Sequence, residues 1–347
     1  MTRSGVKLNE STSIHVLASD LGLRLTSNPV GDIVALCHRK VEKFLIDLAN
    51  CSKPSELLSL VANKLGTIFV EIRSDDDLRQ LVSEYAARGE LAFATLPDEL
   101  THEVFGITLK LVHPRRFELP YVSIIDCREA KASRVYFTKW HELGHLLILT
   151  DQRRFSFKRT HTLHEYKSPE ESLVDVLAGE FAYYAPMVRP LATGEISFAA
   201  IEAIRDELCP DGSLTSAMIG IVKAWPQPCL LIEAALAHKK GHGDSSQRMF
   251  GFVTPPAPAL RAVNVMPNDA ARRQGLQMFR NFRVPQASII SRVFMGQTLQ
   301  GEARENLNWW KASDGTKLPD IPILVRARRV RESVHALIVP LGVADRN

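Results

Sequence analysis

The run His141-Glu142-Leu143-Gly144-His145 is the part of the chain whose residue types and spacing point most directly to chemistry. On a helix, residues four apart lie on one face, so His141 and His145 aim two imidazole nitrogens at one point. Two neutral imidazoles suit a borderline ion such as Zn²⁺. In zinc hydrolases with this spacing the enclosed glutamate does not bind metal. It reaches the metal's water and acts as general base, which is the role expected of Glu142. The metal's part is to lower the pKa of its water to about 7. The competing reading is a helix carrying two ordinary hydrogen-bonded histidines. A second pair, His238 and His242, has the same spacing but lacks a glutamate and encloses Gly241, so it reads as loop.

Two histidines need a third protein ligand, with a fourth position open for water. Glu171 is the candidate, and Glu170 beside it the alternative. Glu171 opens an ExxxD pattern whose spacing puts Glu171 and Asp175 on one helix face. The first can ligate while the second steadies a histidine from behind. Glu171 also stands three residues after Ser168, with Pro169 at the first helical position, where a capping box would use it. Both readings stand on the sequence. His161 and His164 read as polar loop residues or substrate contacts. An oxyanion on the attacked carbonyl needs a donor. Tyr183, Tyr184 and Arg189 are candidates, with aromatic core packing the alternative for the tyrosines.

These residues need a scaffold. Ser55 precedes an amphipathic run that stops at Gly66, as a helix should. Ile68, Val70 and Ile72 alternate as in a strand. Ser74 can cap a helix through residues 75–89. LAFATL (91–96) and FGITLKLV (105–112) read as strands, and Pro120–Asp126 more strongly so. The polar CREAKAS turn returns the chain into RVYF (134–137), giving a hairpin that runs into the HELGH helix. An extended peptide could lie against an edge of that hairpin, at 121–126 or 134–137. A basic loop (Asp151–Lys167) precedes the Glu171 helix, and two further helices follow it, ISFAAIEAIRDEL and SLTSAMIGIVKAW. Residues 1–40 read as an extension with one helix. A polar, Gly-containing stretch around 239–247 marks a domain boundary near residue 245. The run 321–343 is strand-like.

Composition narrows the class. The chain has 347 residues, 45% hydrophobic and 24% charged, which is ordinary for a globular protein. No apolar stretch is long and unbroken enough to span a membrane, and the first residues lack the apolar core of a secretory signal. The five cysteines are scattered without a CxxC pair, which points to reduced thiols, a cytoplasmic location and no cysteine-based metal site. The net charge of +4 is uneven. Residues 250–347 hold 14 Lys and Arg against 7 Asp and Glu, and the rest of the chain 29 against 32. The arginines of RARRVRES (326–333) could meet phosphates, but their alternation suits the solvated face of a sheet.

RVYFTKWHELGHLL resembles the "RFTLAHELGHLLLH" signature of the ImmA/IrrE family of zinc metallopeptidases, and EESLVDVLAGEFAYYAP resembles that family's "ExEANRFAAELLMP". The resemblance covers roughly residues 45–240. It departs where Trp140 replaces a small residue and where two residues are added before the closing Pro. It implies Glu171 as third ligand to one zinc ion, with Asp175 behind it. It also implies a bacterial or prophage cytoplasmic setting and cleavage of a helix-turn-helix repressor in a stress response.

The expected fold is α+β: a mainly helical, zincin-like catalytic domain (41–245) with a small antiparallel sheet, and a basic, strand-containing domain (246–347) for sensing or docking. The expected activity is that of a zinc endopeptidase acting on a protein partner. The alternative is a non-cleaving metalloprotein that holds a repressor or nucleic acid through its C-terminal domain. A toxin–antitoxin component is a third.

Overall fold

The computed structural model describes residues 8–24, 26–46, 51–150, 156–160, 168–238, 257–311, 315 and 317–342. The chain is α+β with two small sheets. It divides into two compact units. The first comprises Met1–Met187 and Ile204–Gly220, the second Val188–Ala203 and Ile221–Asn347. The boundary expected near residue 245 lies outside the described residues. Strand Leu230–Ala237, just before it, belongs to the second unit.

In the first unit, helices α1 (Thr12–Asp20), α2 (Pro29–Ile46) and α3 (Pro54–Leu65) precede strand β1 (Thr67–Ile72). The α3 boundaries follow local chemistry. Pro54 occupies the first turn, the Glu56 carboxylate accepts from the backbone of Ser52 and Lys53, and Gly66 closes the helix at φ 74°. Helix α4 (Asp75–Ala86) starts on a complete box, in which Ser74 Oγ accepts from the Asp77 N–H and Asp77 accepts from the Ser74 N–H. The described part of residues 1–40 holds two helices where one was expected, the second running on to Ile46. Helices α1 and α2 both pack on the Glu171 helix. The His38 ring lies 4.9 Å from that of Phe181, and Lys40 Nζ donates to Leu147 O at 2.7 Å.

The four-stranded sheet has the order β1-β3-β2-β4, with β2 at Val104–Lys110, β3 at Tyr121–Asp126 and β4 at Ser156–Thr160. It is antiparallel across β3, β2 and β4, as expected of a small sheet, and β1 adds to β3 in parallel. Strand β4 falls inside the expected basic loop; the rest of that loop, with His161 and His164, lies outside the described residues. Alternation splits the sheet's faces. Ile107, Leu109, Val122 and Ile124 bury against Leu78, Leu81 and Tyr85 of α4 and against Phe93 and Leu96. Gly106, Thr108 and Ser123 point the other way.

Two expected strands are helical. Residues 91–95 form a 3₁₀ turn leading into α5 (Leu96–Glu99), so that Phe93 and Leu96, three apart, both reach the core. Nor do residues 121–137 form a hairpin. The Asp126 carboxylate, with no exposed surface, accepts from Arg128 Nε at 2.9 Å and from Lys131 Nζ at 2.6 Å. These bonds outweigh burial and hold its carboxyl below the usual range. They fold 129–134 into a 3₁₀ turn, which leads straight into helix α6 (Val135–Leu147). RVYF is therefore the entry to a helix, and β3 is an inner strand paired on both sides.

Helices α7 (Pro169–Ala182), α8 (Ala185–Val188), α9 (Phe198–Leu208) and α10 (Leu214–Ala224) follow, the last two as expected. In the second unit β5 (Leu230–Ala237) and β6 (Ala259–Pro267) precede α11 (Asp269–Arg273) and α12 (Ile289–Phe294); β7 (Gln300–Asn306), β8 (Pro322–Val330) and β9 (Ser333–Pro340) complete a five-stranded antiparallel sheet, order β6-β5-β9-β8-β7. One face, with Ile232, Val325, Ala336 and Ile338, buries Trp310, Phe282 and Ile290. Asn268, fully buried, ties this unit together. Its Oδ1 accepts from Cys229 N and Ala271 N, and its Nδ2 donates to Trp225 O and Gln227 O. Replacing it with Ala orphans these buried groups at about 1–3 kcal/mol each. Asn268→Ala should therefore cost about 3 kcal/mol or more in a denaturant titration; a loss below 1 kcal/mol would remove Asn268 from this role.

Among the described residues no helix is long and apolar enough to cross a membrane.

Candidate metal centre

Helices α6 and α7 run antiparallel in contact. At one end Tyr136 Oη donates to Ala182 O at 2.6 Å. At the other the contact depends on Gly144: a Cβ there would lie 2.9 Å from Val174 Cγ1 and 3.4 Å from Val174 O. The glycine of HELGH thus lets the start of α7 close on the histidines. Trp140, where the resembled signature has a small residue, fills the space between, its ring 5.8 Å from that of Phe181.

His141 and His145 are buried, and their Nε2 atoms face the two oxygens of one carboxylate. His141 Nε2 is 3.1 Å from Glu171 Oε2, and His145 Nε2 is 3.1 Å from Glu171 Oε1. The donor atoms of these three residues all lie within 4.8 Å of one another. Asp175 Oδ1 is 2.9 Å from His141 Nδ1. With a metal on Nε2, the Nδ1 proton would be directed to Asp175. The backbone and the side chain of Glu171 serve different neighbours. Its backbone N–H donates to Ser168 Oγ at 3.1 Å, as in a cap, while its carboxylate turns to the histidines instead of completing the box. Burial works to raise the Glu171 carboxyl, but the hydrogen bonds and charge of His141 and His145 outweigh it and hold it well below the usual range.

These donors fit one ion. Tetrahedral zinc, with bonds of about 2.0–2.1 Å, sets its ligand atoms about 3.3 Å apart. Each histidine lies 3.1 Å from its own oxygen of Glu171, near that edge, and the three donor atoms lie within 4.8 Å of one another. Two imidazole nitrogens and a carboxylate oxygen also suit zinc chemically and leave a position open.

Glu142 is held from the sheet. Its Oε2 accepts from Thr108 Oγ1 of β2 at 2.7 Å. Thr108 Oγ1 is 2.8 Å from Ser123 Oγ of β3, which is 2.9 Å from Thr67 Oγ1 of β1. All four side chains are buried. A carboxylate only accepts, so the single Thr108 proton goes to Glu142. Thr108 must then accept from Ser123, and Ser123 from Thr67, for which Ile68 O at 3.3 Å is the longer alternative. The hydroxyls line up in one direction across three strands, each polarising the next. Gly106 completes the cradle, since a Cβ there would lie 2.7 Å from Glu142 Oε1. Thr67, Gly106, Thr108 and Ser123 escape a motif search; their signal is small and polar residues interrupting otherwise apolar strands.

The other candidates lie elsewhere. Tyr183 and Tyr184 are each 2% exposed. Tyr183 packs so closely on Gly212 and Gly220 that a Cβ at either would collide with it, and the Tyr184 ring lies 5.8 Å from that of His38. Both belong to the core rather than to an oxyanion pocket. Arg189 is exposed in the second unit, and Glu170 is not among the converging donors.

Two histidines and a glutamate from antiparallel helices, with a second glutamate anchored on a sheet, define a site able to hold a divalent metal. No family model matches the chain, and no curated protein matches it significantly. The functional reading therefore rests on this geometry.

Proposed function

We propose that the protein is a zinc-dependent endopeptidase acting in the cytoplasm on a protein partner, with a helix-turn-helix repressor in a stress response as the expected partner class. The observation that carries this reading is the division of labour between the two glutamates. Glu171 joins His141 and His145, while Glu142 is anchored by Thr108. His141, His145 and Glu171 would hold the ion, which when bound supplies Lewis acidity that brings a water's pKa towards neutrality. Asp175 keeps the His141 proton on Nδ1. The Glu142 carboxylate takes a proton from the attacking water and passes it to the departing amide nitrogen. Among the described strands β4 is the sheet edge beside β2, where an extended substrate can add as a further strand.

The deciding experiment incubates the metal-loaded protein with a repressor encoded beside its gene, with and without chelator. A discrete fragment that chelator prevents supports the reading. Full protection of candidate repressors and of a proteome-derived peptide library, by protein holding one zinc ion, would favour the non-cleaving alternative.

Thr108→Val tests the anchor. It keeps the side chain's shape and deletes the donor to Glu142. Cleavage should fall at least tenfold, the scale of a lost charge-assisted hydrogen bond. Metal content should be unchanged, and Thr108→Ser should retain activity. Wild-type cleavage by Thr108→Val would show that the hydroxyl chain does not position Glu142.

A further inference from the structure

The loop between β2 and β3 is held in one shape by its own backbone bonds. Leu111 N–H donates to Pro120 O at 2.8 Å and closes the base of the loop, one residue beyond the Lys110–Tyr121 pair. The buried Glu90 carboxylate accepts from Val112 N–H at 2.9 Å and from His113 N–H at 2.7 Å. The Glu118 carboxylate accepts from Arg115 N–H at 2.7 Å and pairs with Arg88, while Glu118 N–H donates back to Arg115 O. Both carboxylates are thus turned inward, onto the loop's backbone and Arg88.

The side chains of residues 112–117 are all exposed. Phe117 is 90% exposed, more than any other large apolar side chain among the described residues. Its backbone is left-handed, with φ 71°, a conformation that a bulky side chain rarely takes. The Arg116 guanidinium lies 4.9 Å from the centre of the Phe117 ring. The chain from Val104 to Phe117 holds Lys110, Arg115 and Arg116 and no acidic residue. Folding gains nothing from a strained backbone whose ring stands in water, and such outliers gather at binding sites.

The position of the loop identifies its occupant. Thr108, the anchor of Glu142, lies only three residues before Leu111, about 10 Å along β2. Strand β4 starts opposite Leu109, with Ser156 as its partner. The loop therefore leaves the sheet at the end where β4 begins, and an extended chain on the β4 edge runs off past it. Phe117 is nine residues beyond Thr108, which bounds the reach of such a chain. A guanidinium takes a carboxylate through two parallel bonds, and arginine beside an aromatic ring is a common energetic centre of protein interfaces. One ring and Val112 are too little apolar surface to hold a membrane.

We propose that the loop presenting Arg115, Arg116 and Phe117 docks an acidic, apolar segment of the protein substrate, within nine residues of the bond that is cut. The inference rests on the endopeptidase reading, but the binding itself does not require cleavage.

The test uses the full-length zinc-loaded protein and its Glu142→Gln variant, so that binding is read whether or not the peptide is cut. Fluorescence anisotropy follows a labelled peptide of about twelve residues rich in Asp, Glu, Phe and Leu, long enough to span β4 and the loop. Both proteins should bind it, and neither should bind the same peptide with Lys in place of its acidic residues. Arg115→Glu with Arg116→Glu should weaken binding at least tenfold, the scale of a lost charge-assisted bond. Arg272→Glu with Arg273→Glu makes the same change in net charge on exposed residues outside the loop and should leave affinity within about twofold. Phe117→Gly should weaken binding about tenfold. Its melting temperature should hold or rise, because glycine takes φ 71° without strain. In the peptide library, sites cut by the parent should carry acidic residues within nine positions, and the Arg115/Arg116 variant should raise KM on them about tenfold with kcat kept. Loop-dependent binding with no peptide cut would strike the endopeptidase reading and leave the docking loop standing. The proposal is overturned by no binding of the acidic peptide, by equal loss in the Arg272/Arg273 variant, or by a Phe117→Gly protein that melts lower and binds as before. Tighter binding of oligothymidylate, or of phosphatidylserine-containing vesicles, than of the peptide also overturns it.

Discussion

Glu142→Gln is expected to stop hydrolysis while leaving metal and fold intact. Glutamine has the shape of glutamate, and its carbonyl oxygen can still accept from Thr108 Oγ1, so the cradle of Gly106 and the hydroxyl chain survives. The amide cannot take a proton from water. A positioned general acid–base contributes about 10²–10⁴ in rate, and the variant should lose that much. Because His141, His145 and Glu171 are untouched, the variant should still hold one zinc ion per chain by elemental analysis. Cleavage of a peptide library, read by mass spectrometry, compares it with the parent. An unchanged rate would take the base's role away from Glu142; loss of zinc would show that its burial supports the ligands themselves.

The second large effect concerns Glu171, on which two readings compete in the sequence. Glu171→Gln should abolish tight zinc binding, because a neutral amide replaces the carboxylate whose two oxygens each face one Nε2 atom. Binding to the folded state alone stabilises by about 2.7 kcal/mol when ligand is a hundredfold above Kd. For a unit of this size that is roughly 5–10 °C in Tm. Zinc should raise the parent's Tm by about this amount and leave Glu171→Gln unmoved. Ser168→Ala is the counterpart. It removes the cap that accepts from the Glu171 N–H and should cost about 1 kcal/mol while keeping the zinc-induced shift. If Ser168→Ala lost the metal and Glu171→Gln kept it, Glu171 would be a helix-start residue and nothing more.

The convergence of His141 and His145 is legible because the i, i+4 spacing on a helix is a strictly local matter. The same holds for the helix starts at Ser74 and Ser168, where the cap lies three residues from its target. Sequence pattern and structure part where local pattern meets tertiary demand. LAFATL has strand composition, yet Phe93 and Leu96 reach the core only from a tight turn. CREAKAS looks like a hairpin turn, but a buried Asp126 recruits Arg128 and Lys131 and winds it into 3₁₀ geometry. The support of Glu142 was invisible for another reason: Thr67, Thr108 and Ser123 come from three strands that only the sheet order brings together. The arginine-rich run is dense in sequence, yet Arg326 and Arg328 face Glu195, Glu302 and Glu202, partners that only the folded unit brings to them.

The division of the chain also bears on when the metal site can exist during synthesis. His141, His145 and Glu171 have all been made by residue 171, yet the first unit continues with Ile204–Gly220. Gly212 and Gly220 from that later segment close around Tyr183, which follows directly after α7. A nascent chain carrying all three candidate ligands therefore still lacks part of the wall behind α7. The ribosome must deliver residue 220, after the chain has already contributed residues 188–203 to the other unit, before the site's scaffold is whole. A truncation after residue 187 would release a chain holding His141, His145 and Glu171 on an unfinished core, prone to unfold and to be degraded.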